Sequence, residues 1–288
     1  MTDKPGGPRN PGQDPTPAEL YLELLKQCLT RSIFGEKQQS FTPAGRLARR
    51  VFEPARSWLS SKQLELVRSA KYDPKSRAEG TDVPSEGETM IGFERLQNLQ
   101  DCITDVLAKG VKGDLLEAGV WRGGATIFMR AVLKAYGDRD RTVWVADSFE
   151  GLPAPTPALY PADEGVELHL YNDVLGVSLE EVKANFARYG LLDDQVRFLK
   201  GWFKDTLPTA PVERLAVLRL DGDLYESTII TLRSFYSKLS IGGYVIIDDY
   251  TPQLPCCVQA VHDFRAEHDI TEEMISTGIY GVFWQRLR

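Results

Sequence analysis

Histidine, cysteine and positive charge are all in short supply in this 288-residue chain. The three histidines are His169, His262 and His268. No Ser/His/Asp arrangement and no G-x-S-x-G elbow accompanies them, which removes the common hydrolase machinery. His262 and His268 fall on a late helix, and His169 lies in a loop expected near the cleft. The four cysteines, Cys28, Cys102, Cys256 and Cys257, match no zinc spacing, and an adjacent pair is a poor disulfide framework. They read as reduced thiols acting as small apolar residues. No apolar run approaches the roughly 20 residues that cross a bilayer. The N-terminus also lacks the hydrophobic stretch of a secretory leader. Cytoplasm is therefore the expected compartment, with no membrane partner. A net charge of -7 and a pI near 5.2 argue against a nucleic-acid partner. The dinucleotide fingerprint G-x-G-x-x-G is missing, and no internal repeat is visible.

What is present is enough apolar content, 42%, for one large α/β domain or two small ones. Residues 1–17 hold five Pro and three Gly without an apolar period and read as a disordered tail. Ala18, Leu22, Leu25, Cys28 and Leu29 then repeat at helical spacing. Between residues 31 and 90, short amphipathic helices are expected around Arg46–Phe52 and Trp58-Leu59, with loops at Tyr72–Arg77 and Asp82–Gly87. Arg46, Arg49, Arg50 and Arg56 make a basic cluster, either a docking face or a solvated helix face. In an enzyme, an N-terminal segment of this size suits an active-site lid.

Regular alternation begins near Met90. Strands are expected at Asp114–Gly119, Thr142–Ala146, Val196–Leu199, Leu215–Leu220 and Tyr244–Ile247. Helices are expected at Phe93–Leu107, Ala125–Tyr136, Leu179–Tyr189 and Val258–His268, the third with a Ser178/Glu181 capping box. Strands at Thr271–Ile275 and Gly281–Arg286, joined by a hairpin-like turn at Ser276-Thr277-Gly278, would close the sheet. The pattern is that of a doubly wound, mostly parallel sheet with an antiparallel edge.

Four stretches carry chemistry. Glu117-Ala118-Gly119-Val120-Trp121 continues into Arg122-Gly123-Gly124, and this strand-to-helix turn lets a ligand approach the backbone. Glu117 would disfavour a pyrophosphate and suit a cationic ligand, such as the amino group or sulfonium of S-adenosylmethionine. An ordinary tight turn is the alternative. Asp147, at the tip of the second strand, is placed to hold ribose hydroxyls, or to cap the turn it opens. Gly201-Trp202-Phe203 can stack on adenine or pack into the core. Two apolar strands end in Asp221-Gly222-Asp223 and Asp248-Asp249. Carboxylates gathered there repel one another unless a cation or shared proton intervenes. Mg²⁺, which prefers oxygen ligands, could take Asp221, Asp248 and Asp249. Asp223, on the same face as Asp221 if the strand continues, could then act as general base. The alternative makes some of these Asp helix caps.

The stretches LLEAGVWRGGA, TVWVADSFEGLP, RFLKGWFKDTLP, LRLDGDLYESTIITL and GGYVIIDDY, in this order, resemble the TylF-type (macrocin) O-methyltransferases, which methylate sugar hydroxyls on natural products. The resemblance extends from about Pro17 to Arg288 and includes Glu88-Thr89-Met90-Ile91-Gly92. It implies a class I methyltransferase (Rossmann-like) fold, S-adenosyl-L-methionine as donor and Mg²⁺ as metal. It assigns Asp221, Asp248 and Asp249 to the metal and Asp223 to the base. Glu117, Gly119, Asp147, Ser148 and Trp202 go to the cofactor pocket, with Thr89 and Met90 enclosing the methionyl part. It also implies a homodimer or higher oligomer. The domain reading is a tail at 1–17, a helical lid segment at 18–90 and a methyltransferase domain at 91–288. The expected activity is Mg²⁺-dependent methylation of a sugar hydroxyl on a glycosylated small molecule of antibiotic type. The rivals are a catechol-type O-methyltransferase, a non-catalytic binder of the same fold, and a nicotinamide-dependent oxidoreductase, which Glu117 and the missing fingerprint oppose.

Overall fold

The computed structural model describes residues 14–36, 38–41, 43, 45–69 and 71–288. Residues 1–13 of the expected tail lie outside that set. The elements run α1 (Pro17–Leu29), β1 (Gln38–Ser40), α2 (Arg46–Ser61), β2 (Val67–Ser69), α3 (Pro74–Glu79) and α4 (Gly92–Ala108). Next come β3 (Asp114–Ala118), α5 (Gly124–Ala135), β4 (Val143–Asp147), α6 (Asn172–Leu175), α7 (Leu179–Arg188), β5 (Val196–Lys200) and α8 (Phe203–Thr206). The chain ends with β6 (Leu215–Leu220), α9 (Tyr225–Phe235), β7 (Leu239–Ile247), α10 (Pro255–Glu267), β8 (Ile275–Ser276) and β9 (Val282–Gln285).

Seven strands form one sheet in the order β5-β4-β3-β6-β7-β9-β8. The first five lie parallel, and β9 is antiparallel to both β7 and β8. The chain moves outward from β3 through β4 to β5, then returns to place β6 on the other side of β3. That reversal opens a crevice at the carboxyl ends of β3 and β6.

Side chains alternate between the two faces of the sheet. Leu115 and Val217 join one cluster with Leu22, Leu25 and Leu29 of α1, Leu96 and Leu99 of α4, and Phe128 of α5. Leu116, Ala118, Leu218 and Leu220 join the other with Ile229 and Phe235 of α9 and Phe264 of α10. Each such aliphatic or aromatic side chain contributes about 1.5–3 kcal/mol on full burial. Because α1 packs into the first cluster, the expected boundary at residue 90 is no break in packing. The helix begins where Thr16 Oγ1 accepts the Glu19 amide at 3.2 Å and Glu19 Oε2 accepts the Thr16 amide at 2.7 Å. This reciprocal cap sets the start at Pro17.

Several sequence expectations shift. The two short helices expected between 46 and 59 are one helix, α2, running through Pro54. The side chains of Arg46 and Arg49 lie outside the described set. The loop expected at Tyr72–Arg77 contains α3, because Asp73 accepts the Lys75 amide at 3.1 Å and so caps a helix opening on Pro74. The closing strands are shorter than expected and are joined by a wider turn, with the Thr277 amide bonded to the Gly281 carbonyl at 2.9 Å. Ser178 does cap α7 through the Glu181 amide at 3.2 Å.

Helix α9 is capped from a distance. Buried Asp163, in the loop between β4 and α6, accepts the Tyr225 amide at 2.6 Å and the Glu226 amide at 3.1 Å. A carboxylate there satisfies two free amides and faces the positive end of the helix dipole. Asp163→Ala should therefore cost about 1–2 kcal/mol, read as a lower urea midpoint with unchanged slope. An unchanged midpoint would remove the cap from the account.

Candidate active site

A cavity of about 410 Å³ opens at the carboxyl ends of β3 and β6. All four stretches expected to carry chemistry reach it, with Glu117 and Gly119 lining it beside Asp221, Asp223, Asp248 and Asp249. The ladder carries them there. The Asp221 amide bonds the Ala118 carbonyl at 2.9 Å, and the Asp248 amide bonds the Leu220 carbonyl at 2.8 Å. Each carboxylate is thus the next ladder position beyond an apolar strand.

One oxygen from each of Asp221, Asp248 and Asp249 lies within 4.8 Å of the others. Asp223 stands apart from that trio. The strand stops at Leu220, and Asp223 adopts a left-handed φ of 60°. Its place on the Asp221 face therefore does not come from strand alternation, as the sequence had implied. Its amide donates to Asp249 Oδ2 at 2.8 Å, which anchors the turn to the neighbouring strand tip. Neither Asp221 nor Asp223 caps α9. Leu224 holds that position without a side-chain bond, and Asp163 supplies the cap.

The charges are only partly balanced within the fold. Arg219, 1% exposed, projects from the penultimate position of β6. It stands in register with Glu117 on β3 and pairs with it. It also donates to Asp221 Oδ2 at 3.0 Å and contacts Asp248 Oδ1. Arg95 of α4 bonds the other Asp248 oxygen, Oδ2. These five carboxylates outnumber the two guanidiniums by three, so they cannot all stay ionised cheaply without a further cation. Burial, opposed by the attraction of Arg219, lifts Glu117 to about 8. Burial and the repulsion of Asp248 lift Asp221 to about 6, while burial and Asp221 lift Asp223 to about 7. Burial and Asp223 push Asp249 upward as well. One cation shared among three anions stays charged itself, and Arg219 is held well above its usual range by Asp248 and Glu117 against its own burial. Glu117 and Asp221, each with a fraction of that cation, still lose to burial.

The other half of the cavity is the cofactor side expected from the sequence. Thr89, Met90, Glu117, Gly119, Val120, Trp121, Asp147, Ser148, Trp202 and Phe203 all line it, whereas Ala118 and Gly201 do not. Gly119 serves a purpose the sequence did not reveal. A Cβ there would collide with the Asp221 carbonyl, so this glycine lets two strand tips touch. Asp147 caps the turn, one of the two roles weighed for it, and also faces the cavity. Its Oδ2 accepts the Val120 amide at 2.8 Å and its Oδ1 the Phe149 amide at 2.7 Å. It buckles the glycine turn to the following loop. Ser148 donates to the Gly151 carbonyl at 2.7 Å. His169 does not line the cavity.

Residues 18–286 match the macrocin-O-methyltransferase (TylF) family. The chain belongs to that family. The demethyldecarbamoylnovobiocin O-methyltransferase of Streptomyces niveus is 56% identical over 221 residues, 77% of this chain and 84% of its own. The 8-demethyl-8-(2,3-dimethoxy-alpha-L-rhamnosyl)-tetracenomycin-C 4'-O-methyltransferase of Streptomyces olivaceus is 50% identical over 268 residues, 93% of this chain and 92% of its own. The solved structure of the O-methyltransferase NovP matches with a TM-score of 0.81 at 48% identity, covering 94% of this chain and 100% of that one. As a macrocin-type protein the chain is an O-methyltransferase with the class I methyltransferase fold. The non-catalytic binder and the nicotinamide oxidoreductase are thereby set aside.

Within this macrocin-type site the donor set fits a hard divalent cation. It is all oxygen, with one oxygen from each of the three carboxylates lying close to the others, and its carboxylates outnumber the neighbouring guanidiniums. Glu117, which lines the cavity, has its buried Oε2 without a hydrogen bond. Sequence reading missed Arg219 and Arg95. An arginine inside the otherwise apolar run Leu215–Leu220 was the available signal for the first. Arg219→Met should leave Glu117 and Asp248 short of their counter-charge and cost about 3–5 kcal/mol. Chemical denaturation would read this, and a loss under 1 kcal/mol would show that the carboxylates do not depend on it.

Proposed function

We propose that this O-methyltransferase is Mg²⁺-dependent and moves the methyl group of S-adenosylmethionine to a sugar hydroxyl on a glycosylated natural product of antibiotic type. The observation that carries the reading is the meeting of the glycine turn and the carboxylate trio in one cavity at the reversal of strand order. The sugar acceptor is inferred from a relative whose name specifies a rhamnosyl-tetracenomycin.

In this reading the chain's own groups divide the work. Glu117 Oε2 receives the amino group or faces the sulfonium, and Asp147, which lines the cavity, holds ribose hydroxyls. Trp202 and Phe203 offer apolar surface to adenine, and Thr89 and Met90 enclose the methionyl part. Asp221, Asp248 and Asp249 would hold Mg²⁺. When bound, the ion supplies Lewis acidity that lowers the pKa of a hydroxyl beside it. The acceptor oxygen attacks the methyl carbon in line with the carbon–sulfur bond, which breaks with its electron pair on sulfur. Asp223 takes the hydroxyl proton, and its lifted pKa of about 7 suits a base working near neutrality. Holding both reactants in near-attack geometry is worth about 7–11 kcal/mol, so positioning supplies much of the acceleration.

Asp221→Asn and Asp248→Asn should each abolish turnover with only a modest loss of S-adenosylmethionine affinity, measured by radiolabel transfer and calorimetry. Full activity in EDTA would refute the metal role. Asp223→Asn should lower kcat by about 10²–10⁴-fold while Mg²⁺ still binds. An unchanged pH–rate profile in that variant would remove Asp223 as the base. Transfer to a simple catechol but to no glycoside would overturn the sugar acceptor.

A further inference from the structure

Arg95 ties together three parts of the site that are distant in sequence. Its Nε donates to the Ile91 carbonyl at 2.8 Å, its Nη2 to the Gly80 carbonyl at 3.1 Å, and its Nη1 to Asp248 Oδ2. Gly80 ends α3, Ile91 opens α4 directly after Thr89 and Met90, and Asp248 tips β7. The guanidinium is 8% exposed as part of its residue and also lies over the Tyr280 ring at 5.6 Å.

A planar fork has its donors in fixed relation. It reaches these three acceptors together only when the segment from Gly80 to Ile91 is seated against the tip of β7. Breaking one bond leaves a buried carbonyl or a buried charge without its partner, which is costly. The seat is also sterically exact at the backbone. A Cβ on Gly80 would stand 2.5 Å from Arg95 Nη2 and from the Ile91 oxygen, and one on Gly92 would stand 2.5 Å from the Ala78 oxygen and the Gly80 nitrogen. There is thus no slack through which one end could move alone.

We propose that Arg95 is a positioning residue that couples the two halves of the site, so that a ligand held by Thr89–Ile91 raises the affinity of the carboxylate trio for a divalent cation. By engaging Asp248 Oδ2, while Arg219 pairs with Oδ1, it fixes the carboxylate that stands beside Asp221 and Asp249. A ligand that orders residues 80–91 orders Arg95, and with it the Asp248 carboxylate. Linkage makes the effect reciprocal: the cation must tighten the cofactor product by the same factor. The inference rests on the Mg²⁺ reading and adds the coupling to it.

Calorimetric titration of S-adenosylhomocysteine, in saturating Mg²⁺ and in EDTA, tests this on the full chain, with Mg²⁺ alone titrated alongside. The neutral sulfur of this product removes direct repulsion between sulfonium and metal. In the parent protein Mg²⁺ should tighten S-adenosylhomocysteine by about fivefold or more. Arg95→Lys keeps the charge beside Asp248 but loses the fork, and should reduce the ratio to below about twofold. Gly80→Ala disturbs the same seat without touching a carboxylate and should do likewise. Thermal melts establish that each variant is folded, and either folded variant suffices. A purely structural Arg95 would lower the melting temperature and leave the ratio intact, which overturns the proposal. Mg²⁺ binding in the parent with a ratio of one overturns the coupling and spares the metal reading. No Mg²⁺ binding in the parent sinks both.

Discussion

The organisation of this protein depends on one buried cation among anions. Arg219 sits at the centre of the sheet, where Glu117 flanks it on one strand and Asp248 tips the next. A carboxylate stripped of water costs several kcal/mol unless a partner repays it. Glu117 could not occupy a fully buried position on β3 without that guanidinium. One arginine cannot neutralise the whole group, however, and Arg95 adds only a second positive charge. The remaining carboxylates have no counter-charge from these two side chains, and burial lifts several of the group above the usual carboxylate range. Electrostatics that would be a defect in a structural core become, in the proposed reading, the attraction for a cation and for an electropositive methyl donor.

The sheet makes this arrangement possible through ordinary geometry. Period-two alternation puts Glu117 and Arg219 on the face covered by α4, and Arg95 descends from that helix to meet Asp248. On the opposite face Leu116, Leu218 and Leu220 pack with Ile229 and Phe235 of α9 and Phe264 of α10 in an apolar cluster. Two glycines then allow contacts that any side chain would prevent. Gly119 brings the tip of β3 against the Asp221 carbonyl, and Gly80 lets the N-terminal segment close on Arg95. The cofactor turn, the carboxylate trio and the N-terminal segment are therefore joined by backbone contact as well as by charge.

Much of the fold was legible because its signals are local. Apolar runs of strand length between helical periodicities marked β3 to β7 and their helices, and carboxylates at two strand ends marked the site. The N-terminal region was read less well. Its helix α2 is amphipathic, largely exposed and interrupted by Pro54, so neither periodicity nor burial announced a single element. The short β1–β2 pair has three residues per strand, too few for any pattern to show. The cap from Asp163 to α9 spans 62 residues, and no local spacing encodes it.

By itself the sequence determined the alternation of strands and helices, the placing of Asp147, Asp221 and Asp248 at strand ends, and, through motif order, the family. These follow from side-chain period and chain order alone. Only the tertiary structure decided how the carboxylates are shared out. It set Asp223 apart from the trio by a left-handed turn, gave Arg219 three partners, and brought Arg95 to Asp248 across 153 residues. Coulomb interactions and burial depend on distance in space, and distance in space is what a linear order of residues leaves open until the chain has folded.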